Sequence, residues 1–224
     1  MIAFPEVQRR AQDELDTVVG RDRLPTFADA PRLPYACAVI KEVLRWRPAV
    51  PLGVPHAARE DDWYEGMFIP KGAVCISNAW HCNHDRAVFG EGADEFRPGR
   101  HLDERGELLS GPAETNRTGH VTFGFGRRIC VGKELAADSL FINTARMLWA
   151  ANFERARDEN GKEVPVDLDT LVNTGAVMSV SILADVLPSL TQYPCTQQPC
   201  SVRLLDHSPV PRSGVYSCRG ACSL

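Results

Sequence analysis

Phe123-Gly-Phe-Gly-Arg-Arg-Ile-Cys-Val-Gly132 is the stretch on which the reading of this sequence turns. It sets Cys130 in a glycine-punctuated loop directly ahead of a strongly helical segment, Lys133 to Asn152. Gly126 and Gly132 allow backbone angles and close approaches that a side chain forbids. Peptide N–H groups of the loop and the helix start can then face the sulfur, and the helix dipole favours the thiolate there. Arg128, two residues earlier, adds a positive charge suited to an anionic group. Cys130 is therefore a candidate thiolate ligand for a metal or cofactor. A lone cysteine before a helix is more often a small buried hydrophobe, so the surrounding sequence has to decide.

Working back from the loop, a polar, glycine-rich connection runs from about Gly90 to His120. Between Trp63 and Asn78 the signals are those of strand and turn. Pro70-Lys71-Gly72 is the turn, flanked by Met67-Phe-Ile69 and Ala73-Val-Cys-Ile76. Pro51-Leu-Gly-Val-Pro55 holds too much proline for helix and reads as extended chain. Before it, Tyr35 to Trp46 is a helix with Ala36, Val39, Ile40, Val43 and Leu44 on its apolar face, ended by Pro48. Glu42 and Arg45 sit at i,i+3 on that helix, where their side chains can meet. Pro5 to Val19 is another helix, with Val7, Ala11, Leu15, Val18 and Val19 at helical spacing and Gly20 as the stop. Gly20 to Pro34 reads as a loop with at most one short turn.

Beyond Cys130, Leu135, Leu140, Ile142, Leu148 and Trp149 supply the apolar side of the third helix. A short strand pair follows, around Val164–Asp167 and Val172–Val180. There is no internal repeat and no βαβ regularity. The fold class is mainly α with minor β.

The 224 residues are 44% hydrophobic and 24% charged, ordinary values for a globular chain. A formal charge of −4 without a Lys/Arg cluster argues against nucleic acid as a partner. No signal peptide and no uninterrupted apolar run long enough to span a bilayer is present, so no membrane anchor is expected in this chain. Of the eight cysteines, Cys37, Cys75, Cys82 and Cys130 are scattered through a body that reads as reduced. Cys195, Cys200, Cys218 and Cys222 crowd into the end of the chain, without the paired C-x-x-C spacing of a structural zinc site. A small zinc-binding interaction protein is accordingly a remote alternative. His81-Cys82-Asn83-His84 also has metal-binding residue types.

The cysteine loop resembles the haem-binding signature of the cytochrome P450 family, F-x-x-G-x-R-x-C-x-G. Phe123, Gly126, Arg128, Cys130 and Gly132 each stand at a required position. Glu42-Val-Leu-Arg45 resembles the family's E-x-x-R pair, and Phe96-Arg-Pro98-Gly-Arg100 its F-x-P-x-R segment. Tyr64 to Gly72, Asn78-Ala-Trp80 and His84-Asp85 look like the central region of fungal microsomal members.

The resemblance implies the C-terminal part of the cytochrome P450 fold over residues 1–178, followed by a divergent, disordered tail over 179–224. It implies that Cys130 is the axial ligand of a haem b iron, and that Phe123, Gly126, Arg128, Gly132 and His56 contact the haem. Trp80 and His84 fall in a segment that nears the haem edge. Glu42, Arg45 and Arg100 would form a buried structural network. Val50, Leu52 and Val54, with Ala176 in the Thr174–Val177 turn, would touch substrate.

The implied activity is a haem-thiolate monooxygenase inserting one oxygen atom from O2 into a small organic substrate. Its electrons would come from an NADPH-dependent flavoprotein reductase, at the cytosolic face of the endoplasmic reticulum membrane. Two departures qualify this. The family's oxygen-binding helix has no counterpart here, so no catalytic residue is identified, and the end of the chain leaves the pattern after about Met178. A truncated form, or a non-catalytic fragment or pseudo-enzyme, is the expectation that these departures raise.

Overall fold

A computed structural model describes residues 1–157, 160–166, 168, 171–173, 178–180 and 202–204. Three helices build the core. Helix α1 spans Pro5–Val18, α2 spans Pro34–Trp46 and α5 spans Lys133–Ala150. Both α1 and α2 open on proline, whose fixed φ and missing N–H suit the first helical position. Val7, Ala11 and Leu15 of α1 pack with Tyr35, Ala36, Val39 and Ile40 of α2 and with Phe141, Ala145 and Leu148 of α5.

Polar contacts fix how these helices meet. The Glu14 carboxylate of α1 accepts the Tyr35 and Ala36 N–H groups at 2.8 and 2.9 Å. An anion there satisfies two unpaired donors and opposes the positive end of the α2 dipole. At the far end of α5, the Gln12 amide donates to the carbonyls of Leu148 and Ala151, both at 3.1 Å. The indole of Trp149 closes the corner by donating to Gly20 O at 2.8 Å.

Strand β1 (His56–Ala57) pairs antiparallel with β4 (Val74–Cys75), and β2 (Asp62–Tyr64) with β3 (Met67–Ile69). The turn at Pro70–Gly72 therefore links strands of two different sheets. The β2–β3 hairpin turns instead at Glu65 and Gly66, both of positive φ. Two short helices, too brief for a periodic apolar signature, follow. They are α3 (Ala79–Asn83) and α4 (Arg86–Phe89), capped by the side chains of Asn78 and Asp85. The Gly90–His120 connection is not featureless, because 3₁₀ turns form over Glu91–Asp94, Pro98–His101 and Ala113–Thr115.

Other expectations are corrected by the structure. Pro51–Pro55 opens on a tight turn rather than extended chain, with Gly53 N donating to Val50 O at 3.1 Å. Gly53 has a φ of +62°, and a Cβ there would collide with Ser77 Oγ. Helix α5 stops at Ala150, where the chain extends into β5 (Ala151–Phe153). The strand pair after it is β6 (Leu171–Asn173) with β7 (Met178–Val180), so Val164 is not in a strand. Val164 only donates its N–H to Ala156 O, beside a lone bridge between Arg157 and Glu163. Strand β8 (Val202–Leu204) pairs with β5. The mainly helical class with small antiparallel sheets stands. No helix among the described residues is long and apolar enough to cross a membrane.

Candidate functional site

At the inner face of α2, Glu42 and Arg45 are both wholly buried, at 0% exposure. A buried charge is costly unless its partners are complete, and here they are. Arg45 Nε and Nη2 donate to Glu42 Oε2 and Oε1 at 2.9 and 2.8 Å. The remaining Arg45 donors reach the carbonyls of Asn83, Ala93 and Glu95 at 2.7, 2.7 and 2.9 Å. Arg100, set in the 3₁₀ turn Pro98–His101, donates through Nε to Glu42 Oε1 at 3.0 Å. Its other nitrogens serve the carbonyls of Phe89, Gly92 and Glu95. The three charged residues that the motifs single out are thus brought together, and they hold the carbonyls of segment 83–95 in place.

Two further donors to Glu42 were not foreseen from sequence. The Arg97 N–H reaches Oε1 at 2.8 Å, and the buried His101 imidazole reaches Oε2 through Nε2 at 2.9 Å. A carboxylate accepts, so His101 carries its proton on Nε2. Burial alone would raise the Glu42 carboxyl, but the hydrogen bonds from Arg45 and His101, with the Arg45 charge, bring it down to about 2. Burial pushes His101 below its ordinary value against the pull of Glu42. His120, buried beside Phe123 with its Nδ1 unpartnered among the described residues, is pushed down to about 4 by burial and by His101 and Lys41.

These shifts give a pH dependence of defined sign. His120 and Glu42 both have folded values below their unfolded ones, so each contributes stability above its unfolded value that is lost as pH falls. The loss should begin below 6.5 with His120, be worth about 3 kcal/mol by pH 4, and continue below 4.5, where the unfolded chain binds the proton that folded Glu42 still excludes. Urea midpoints measured between pH 7 and pH 3 check this. In His120→Phe the decline between pH 6.5 and 4 should flatten, and an unchanged decline would contradict the assignment.

Cys130 lies between the 3₁₀ turn Gly126–Arg128 and α5, with its side chain exposed. Gly124 and Gly126 have φ of +76° and +56°, the left-handed region that side chains disfavour. They fold the loop back, so that Cys130 N donates to Phe123 O at 2.9 Å. The N–H groups of Val131 and Gly132 have no backbone acceptor among the described residues. A Cβ built on Gly132 would stand 3.9 Å from Cys130 Sγ, so the glycine lies directly beside the sulfur. Phe125, Val131 and Leu135 are exposed apolar neighbours, and Arg127 and Arg128 are exposed cations. Phe123 is half-buried, edge-on to His120 at 5.5 Å.

The other sequence candidates stand apart from this loop in what they touch. His56 is exposed on β1. Leu52 and Val54 are exposed and Val50 half-buried, around the Gly53 turn that Trp80 N–H holds through Pro51 O at 2.8 Å. His84 stacks on Trp80 at 4.5 Å and pairs its Nδ1 with Trp80 O. Ala176, with the rest of the Thr174–Val177 turn, lies outside the described residues, as do Cys195, Cys200, Cys218 and Cys222. Among the described residues no group of three or more His, Cys, Asp or Glu could hold a metal ion.

The sequence profile of the cytochrome P450 family matches residues 1–175. A cytochrome P450 monooxygenase of Armillaria gallica is 56% identical over 177 residues, which are 79% of this chain and 34% of that protein. Cytochrome P450 monooxygenase 58 of Postia placenta is 50% identical over 177 residues, covering 79% of this chain and 33% of its own length. The cytochrome P450 monooxygenase iboC of Amanita muscaria is 38% identical over 89% of this chain and 42% of its own. The chain spans about a third of the length of the first two relatives.

Proposed function

The chain belongs to the cytochrome P450 family, and we propose that Cys130 supplies the thiolate that would hold haem b in a monooxygenase. The observation that carries this is the exposed Cys130 thiol on a loop locked from Phe123 O to Cys130 N. The residues around it fit the group. Apolar Phe125, Val131 and Leu135 suit a macrocycle, and the Arg128 cation suits its propionates. The N–H groups of Val131 and Gly132, without a backbone acceptor among the described residues, are donors available to stabilise a thiolate.

When bound, the haem supplies the oxygen chemistry, with thiolate ligation favouring O–O cleavage. The residues of this chain have the quieter tasks. Phe123, Gly126 and Gly132 would shape the loop against the haem, Arg128 and His56 would hold its propionates, and Glu42, Arg45 and Arg100 hold the 83–95 segment. Val50, Leu52, Val54 and Ala176 contact a small organic substrate. We assign the electrons to an NADPH-dependent flavoprotein reductase, O2 as co-substrate, and the cytosolic face of the endoplasmic reticulum as the place.

Alkylation of the full chain, read by peptide mass spectrometry, tests the ligand. Cys75, Cys82 and Cys130 are all exposed, so all three react in the haem-free chain. Added haem should protect Cys130 alone. Equal protection of the three, or none at Cys130, would overturn the assignment.

A further inference from the structure

Asn83, the last residue of α3, is wholly buried. Its backbone carbonyl accepts from Arg45 Nη1 at 2.7 Å, which ties it to the buried charge network. Its side chain faces the other way. The Oδ1 atom accepts from Val121 N at 2.8 Å, and Nδ2 donates to Thr122 Oγ1 at 3.1 Å. The Thr122 hydroxyl in turn donates to Leu44 O on α2, at 2.6 Å. One residue later Phe123 O receives the Cys130 N–H. Every polar atom of the Asn83 side chain is therefore spent on the two residues at which the cysteine loop begins.

We propose that Asn83, acting through Thr122, is a positioning residue for Cys130. It anchors the root of the loop to α2 and to Arg45, so that the thiol is held in register before any haem arrives. A buried amide suits the task because it offers a donor group and an acceptor group in a fixed plane, with no charge to neutralise. The proposal rests on the reading of Cys130 as the ligand. Its test is read without haem, so that failure of the two can be told apart.

The measurement is amide hydrogen exchange on the haem-free full chain. Thr122→Val keeps the shape but removes the donor to Leu44 O and the acceptor for Asn83 Nδ2. Exchange at Val121 and Cys130 should quicken about tenfold, the equivalent of one buried hydrogen bond. The α1 amides around Leu15 should change less than about twofold, since their packing is untouched. Thr122→Ser, which retains the hydroxyl, should restore slow exchange at Cys130. If Thr122→Val does not fold, Thr122→Ala serves: it removes the same hydroxyl and leaves the Asn83 acceptor for Val121 N in place. Unchanged exchange at Cys130, or acceleration of loop and α1 alike, would overturn the proposal.

Discussion

Arg45→Ala should lower the free energy of unfolding by about 3–5 kcal/mol, the cost of leaving a buried charge without its partner. Domains of this size have little more than that to lose. The loss has three parts. Glu42, at 0% exposure, would keep Arg100, His101 and the Arg97 N–H but lose both hydrogen bonds from Arg45. The carbonyls of Asn83 and Ala93 would lose the guanidinium donors that satisfy them. A cavity the size of the side chain would also open between α2 and the 83–95 segment. Arg45→Lys should fare little better, because one ammonium cannot span two carboxylate oxygens and three carbonyls.

The matched control is Arg86→Ala. Arg86 makes two ion pairs, with Glu91 and Asp94, but it is 61% exposed and its partners 92% and 64%. Pairs of that kind are worth about 0–1 kcal/mol. Urea unfolding of both variants is the comparison. Midpoints that fall by similar amounts would show that burial is not what gives the Glu42–Arg45 pair its weight.

The three long helices were legible because each repeats its apolar residues at helical spacing over two turns or more. Val7, Ala11 and Leu15 show it on α1, and Ala36, Val39 and Ile40 on α2. The Glu42–Arg45 pair was legible for the same reason, since i,i+3 neighbours meet wherever a helix forms. Arg100 could be joined to them only through the family motif, because nothing local in Phe96–Arg100 states where its guanidinium turns. The same gap hid His101 and Asn83. Their partners lie 59 and 38 residues away along the chain, brought close by folding and marked by no periodicity. The misplaced strands share a cause. Strands of two or three residues are too short for alternation to register, and β1 finds β4 across an intervening hairpin. Pro51–Pro55 misled because proline excludes helix without choosing between extended chain and turn. There the choice fell to Gly53, whose positive φ and contact with Ser77 come from the fold.

Cys130→Ala should abolish thiolate ligation outright, since no second residue can replace the sulfur as iron ligand at that point of the loop. The other described cysteines sit elsewhere: Cys75 on β4, Cys82 on α3, and Cys37 on α2, where burial pushes its thiol up to about 11. A thiol so shifted is a poor thiolate at neutral pH. The direct measurement is the reduced, carbon-monoxide difference spectrum of the full chain supplied with haem, beside that of Cys130→Ala. A Soret band at the thiolate-ligated position is expected in the parent chain, and its loss in the variant. The same band in both, or a parent chain that binds haem without it, would contradict Cys130 as the ligand.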